Sequence, residues 1–84
     1  MKAVKIYSKN YCPYCSRAKS LLERKGVAYE EINLEGKDDE MSALIKETGM
    51  RTVPQIYVGD FFVGGFTELD ELDKSGELDK KLND

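Results

Sequence analysis

Val4-Lys5-Ile6-Tyr7-Ser8-Lys9-Asn10-Tyr11-Cys12-Pro13-Tyr14-Cys15 carries a strand-like run straight into a helix-like one, and it holds the only two cysteines of the chain. The β-branched and aromatic residues from Val4 to Tyr7 read as a strand, and Ser8-Lys9-Asn10 as the loop that ends it. From Pro13 the period changes. Cys15, Ala18, Leu21 and Leu22 recur at helical spacing, with proline in the first turn and Gly26 as the stop. A helix therefore begins inside the Cys-Pro-Tyr-Cys motif, with Cys12 as its N-cap. At that position unpaired backbone N–H groups and the positive end of the helix dipole favour a thiolate over a thiol. The thiolate is the form that attacks disulfides.

An ordinary thiol is only ~3% ionised at neutral pH, so the dipole needs help. N–H donors of Tyr14 and Cys15, with Lys9 and Arg17 nearby, would add to the effect. Cys15, one turn into the helix, is the poorer nucleophile and the natural resolving thiol. A spacing of three sets both sulfurs on one side, so a disulfide can close and open without moving the fold.

Beyond the motif, Val27 to Leu34 returns to β character, irregular near Glu30-Glu31. Asp38 is a candidate N-cap for a second helix, with Met41, Leu44, Ile45 and Thr48 along one face and Gly49 just beyond. Pro54 to Val58 and Phe61 to Val63 flank Gly59-Asp60, which reads as a β-hairpin turn. Gly64-Gly65 breaks the strand, and Thr67 with Asp70 three residues later resembles a capping box opening a helix that runs through Leu69 and Leu72 to Gly76. Leu78 and Leu82 suggest a short final turn. The expected order is β-α-β-α-β-β-α: one α/β domain over residues 1–84, a mixed four-stranded sheet flanked by three or more helices.

The 84 residues, 40% hydrophobic and 35% charged, have the composition of a soluble globular chain with room for one core. No apolar run approaches the ~20 residues that span a bilayer, and lysines at positions 2 and 5 interrupt the apolar stretch a secretory signal needs. Cytoplasmic residence, no membrane association and a monomer are the expectations. The net charge of −3 is unevenly spread: basic residues dominate the first 25 positions and acids the last 19. Nucleic-acid binding is not expected from an acidic chain without a tight basic cluster. The chain has no histidine, which excludes Cys-His catalysis and Cys2His2 zinc. Two cysteines alone also cannot supply four thiolates, so no metal is expected in the monomer.

Two further constellations matter. Val53-Pro54 reads, alone, as strand entry; a cis bond there would instead turn the Val53 backbone outward to pair with an extended, peptide-like substrate. Gly64-Gly65 before a helix is ordinarily a turn, but exposed N–H groups at a helix start also receive carboxylates.

Taken together, Tyr7, Lys9, Cys12-Pro13-Tyr14-Cys15, Arg17-Ala18, Thr52-Val53-Pro54-Gln55-Ile56 and Gly64-Gly65 resemble the glutaredoxin family, specifically its small dithiol bacterial members. The resemblance spans nearly the whole chain. It implies a thioredoxin-like fold with a cis Pro54, and a glutathione groove between the motif, Thr52-Val53 and the start of the last long helix. It also implies roles. Cys12 takes the glutathionyl group and Cys15 resolves it; Val53 pairs with the glutathione backbone. Lys9 and Arg51 lie near a carboxylate, Tyr14 walls the site, and the N–H groups after Gly65, at Phe66 and Thr67, meet the γ-glutamyl end. Thr67 departs from the pattern, since many members carry Asp there. Threonine bonds a carboxylate without supplying a charge for the γ-glutamyl ammonium, and Glu68 is the nearest acid to replace it.

The function so implied is reduction of protein–glutathione mixed disulfides and protein disulfides, with glutathione as reductant and disulfide-bearing or glutathionylated proteins, such as ribonucleotide reductase, as partners. Two alternatives stay open: a redoxin reduced by thioredoxin reductase, and a [2Fe–2S] carrier in which two chains and two glutathiones hold the cluster through Cys12.

Overall fold

Strand β1 (Val4–Ser8) alternates its burial residue by residue, with Val4, Ile6 and Ser8 facing one side and Lys5 and Tyr7 the other. The structure is a computed structural model and describes residues 1–84. After β1 come helix α1 (Pro13–Arg24), β2 (Glu30–Asn33), α2 (Asp38–Thr48), the hairpin β3 (Gln55–Val58) and β4 (Phe61–Gly64), then α3 (Phe66–Ser75) and α4 (Glu77–Asn83). The sheet order is β2-β1-β3-β4. β1 and β2 are parallel, joined by α1, while β3 pairs antiparallel with both β1 and β4. Ile6 sits opposite Glu31 on one side and Ile56 on the other.

Period-two strands give the sheet two different faces. One carries Val4, Ile6, Ile56, Val58 and Val63, covered by Ala18, Leu21 and Leu22 of α1, Leu69 of α3 and Leu78 and Leu82 of α4. The other is covered by α2 alone. Leu34, Met41 and Leu44 form its small buried cluster, edged by Tyr7, Ile32, Ile45, Val53 and Tyr57. Lys25 ties the thick side together, its ammonium 2.7 Å from Asp73 and 3.0 Å from Asp79. No helix is long and apolar enough to cross a membrane.

The expected element order holds, with four differences of detail. β2 starts at Glu30, not Val27, because Val27 and Tyr29 pack sideways onto the main core instead of joining a ladder. Asp38 is the first helical residue, not the cap; with Asp39 and Glu40 it offsets the α2 dipole from inside the first turn. Helix α3 is capped at Gly65, where Glu68 Oε1 accepts the Gly65 N–H at 2.7 Å, so Thr67 and Asp70 form no box. The final turn is a seven-residue helix whose Leu78 and Leu82 are buried in the main core.

Candidate active site

Cys12 has extended backbone angles and caps α1, with Pro13 at the first helical position. Its Sγ accepts the Cys15 N–H at 3.2 Å, the bond a cap side chain makes to the first turn. Cys12 and Cys15 are joined as a disulfide with Cα atoms 5.2 Å apart. Cys12 is partly exposed; Cys15 is buried at 2% exposure. Only one of the pair meets an incoming disulfide from solvent.

The Val53–Pro54 peptide bond is cis, and the Val53 carbonyl oxygen lies 3.8 Å from Cys12 Sγ. A groove runs from there. It is lined by Thr52, Val53 and Pro54 on one wall, Gly65, Phe66 and Thr67 on another, and Tyr14 at its edge. Tyr14 is half exposed, its ring 6.2 Å from Phe66, and the Arg17 guanidinium lies over that ring at 5.2 Å. At the start of α3 the Leu69 N–H is the first to bond back, to the Gly65 carbonyl at 3.1 Å. The N–H groups of Phe66, Thr67 and Glu68 are therefore free at the positive end of the helix.

Seven of the expected site residues thus converge on one groove, and Cys12 borders it beside the Val53 carbonyl, while buried Cys15 lines the second groove. Lys9 lies elsewhere. It lines a second groove on the Cys15 side, with Tyr11, Cys12, Cys15, Lys19 and Glu31. Arg51 is exposed and lines neither groove. Glu68 lines the first groove but spends its carboxylate on the Gly65 N–H. In the second groove Glu31 accepts from buried Ser8 Oγ at 2.7 Å and from Lys19 Nζ at 3.1 Å. The Ser8 hydroxyl, then Lys19, hold this carboxyl below its ordinary range.

Sequence reasoning missed the residue that holds the groove wall in place. Gln55 is fully buried; its Nε2 donates to the carbonyls of Met50 at 2.9 Å and Thr52 at 3.0 Å. Its Oε1 accepts from Thr48 Oγ1 at 2.8 Å, and that oxygen in turn accepts the Met50 N–H. One amide so fastens the 50–54 loop to the end of α2. Its only sequence signal was its place in the Thr-Val-Pro-Gln-Ile run. No group of three or more Cys, Asp and Glu side chains is arranged to hold a metal ion.

The family model named Glutaredoxin matches residues 4–63. The chain belongs to the glutaredoxin family. It is 46% identical over 83 residues to the glutaredoxin of Pseudomonas aeruginosa PAO1, spanning 99% of both chains. It is 44% identical over 82 residues to glutaredoxin 3 of Escherichia coli K12, spanning 98% of this chain and 99% of that one. Among solved structures, a buckwheat glutaredoxin–glutathione complex superposes with a TM-score of 0.90 at 36% identity, covering 98% of this chain and 77% of the other. The fold is thioredoxin-like, as glutaredoxin neighbours require. Glutaredoxins are thiol oxidoreductases, and a Cys-Pro-Tyr-Cys pair that closes a disulfide at a helix start is the equipment for that chemistry.

Proposed function

We propose that this glutaredoxin reduces protein–glutathione mixed disulfides and protein disulfides at the expense of glutathione. The observation that carries the reading is the position of Cys12 Sγ: at the α1 N-terminus, within hydrogen-bond reach of the Cys15 N–H and beside the Val53 carbonyl where the groove begins. The residues present suit glutathione. Val53 offers backbone groups to its cysteine, the free N–H groups of Phe66 and Thr67 face a carboxylate, and Tyr14 closes one side. The glutathione complex of the buckwheat relative supports the same use of the groove. Lys9 and Arg51 supply positive charge outside the groove for the glycine carboxylate.

In the reaction the Cys12 thiolate attacks the glutathione sulfur of a mixed disulfide. The Cys12–glutathione bond forms, the protein–glutathione bond breaks, and the protein thiolate leaves to take a proton. A second glutathione thiolate then attacks the bound glutathione sulfur, releasing oxidised glutathione and Cys12. With a protein disulfide, Cys15 loses its proton and attacks Cys12 Sγ instead. That expels the substrate thiolate and leaves the Cys12–Cys15 disulfide, which two glutathiones reduce. A reductant pool of this kind is kept in the cytoplasm, which supports a cytoplasmic role with disulfide-forming enzymes such as ribonucleotide reductase as candidate partners.

Turnover of a glutathione mixed disulfide, coupled to glutathione reductase, tests the reading. Activity should vanish in Cys12→Ser and persist in Cys15→Ser, while Cys15→Ser loses reduction of protein disulfides. An inactive wild type that accepts electrons from thioredoxin reductase would overturn the dependence on glutathione.

A further inference from the structure

Tyr11 is the most exposed large hydrophobic side chain of this molecule. It is fully exposed, and it is the only non-glycine residue with positive φ, at 54°. That left-handed conformation is sterically unfavourable for a tyrosine. Nothing intramolecular repays it: the aromatic pairs involve Tyr7, Tyr14, Tyr57, Phe62 and Phe66, and the cations over rings sit on Tyr14 and Phe61. Strain without a structural return is a pointer to function. The ring stands next to Cys12, at the lip of the second groove, which has a volume of 440 Å³ and is lined by Cys15, Ser16, Lys19, Glu31 and Asn33.

Glutathione is short. It has one residue on either side of its cysteine, and the groove of Tyr14, Val53 and Thr67, with Lys9 and Arg51 outside it for the glycine carboxylate, accounts for both. A polypeptide that carries the target cysteine continues in both directions, advancing ~3.3 Å per residue when extended. Its outer residues pass beyond that groove. We propose that Tyr11 determines specificity for the polypeptide part of the substrate: its ring receives an apolar or aromatic side chain flanking the target cysteine, while the segment's hydrated backbone lies over the polar second groove. Rigid aromatic rings suit this work, because they offer contact area at small entropy cost. The inference rests on the glutathione-dependent reading given above.

Two substrates separate the cases: the mixed disulfide of glutathione with 2-mercaptoethanol, and the mixed disulfide of glutathione with a ten-residue peptide carrying leucine next to its single, central cysteine. Tyr11→Asn removes the ring and keeps a residue that tolerates positive φ. It should lower kcat/KM for the peptide roughly five- to tenfold, the size of one lost aromatic contact, with the 2-mercaptoethanol substrate unchanged. Tyr11→Phe should restore peptide turnover. Equal loss on both substrates, or no loss on either, overturns the proposal while leaving the glutathione reading intact. A wild type that turns over neither substrate overturns both.

Discussion

At the residue scale, the geometry of the groove depends on one amide. Gln55 makes three hydrogen bonds from a fully buried position, two of them to carbonyls of the loop that presents Val53. Replacing it with leucine of similar volume leaves the carbonyls of Met50 and Thr52 without their donor, while the Thr48 hydroxyl keeps its bonds to Leu44 and Met50. A lost partner costs about 1–3 kcal/mol when the group left behind is buried, so Gln55→Leu should destabilise by about 3 kcal/mol in urea unfolding. It should also raise KM for a glutathione mixed disulfide more than it lowers kcat, since the loop positions the substrate and not the thiol. None of this was legible beforehand. The motif residues announce themselves by type, but a buried glutamine at a strand start looks in sequence like any polar strand residue. Its partners at 48, 50 and 52 meet it only through the tertiary course of the loop.

At the scale of elements, α3 shows what determines a helix start. The pattern rule looks for a hydroxyl or carboxylate at the cap, and Thr67 followed by Asp70 satisfies it. The helix begins two residues earlier because Gly64, at φ 114°, allows a turn there that other residues resist, and because Glu68 can then reach back to the Gly65 N–H. A Cβ on Gly64 would meet Glu68 Oε1 at 3.0 Å, so turn and cap fit only as a unit. Glu68→Ala should cost about 1 kcal/mol, and Glu68→Gln, which keeps an acceptor, less; thermal unfolding of the two variants checks the order. The α1 start was legible, by contrast, because proline, helical period and terminal glycine agree. The β2 start was not, because Val27 and Tyr29 are apolar in order to pack, not to pair.

Across the whole molecule, the uneven charge of the sequence is partly an internal clamp. Lys25 at the end of α1 reaches acids on both α3 and α4. Hydrogen bonds to Asp73 and then Asp79 raise its pKa above the usual lysine value. A raised value means that the contribution to stability is complete below the ordinary lysine range and is lost as pH climbs through the folded value. Lys25→Met should therefore destabilise by about 1 kcal/mol at pH 7, less in 1 M salt, and the gap to wild type should narrow as pH rises beyond the ordinary lysine range. Parallel urea titrations at pH 7 and pH 11.5 would read it.

The sheet's thinner face has a consequence for heat. Its small cluster includes Val53 at its margin, and Thr48 at the end of α2 is joined to Gln55. The helix anchored in the small three-residue cluster thus props up the wall against which substrate lies, while the cysteines stand at the start of α1, which covers the larger core. Local opening draws on such lightly packed units first. On gentle warming the protein should lose its grip on glutathione several degrees before it melts: α2 amides trade hydrogen for deuterium early, KM climbs, and circular dichroism still reports a folded chain. On that expectation its working temperature follows α2 and not the twelve-residue core that keeps it folded.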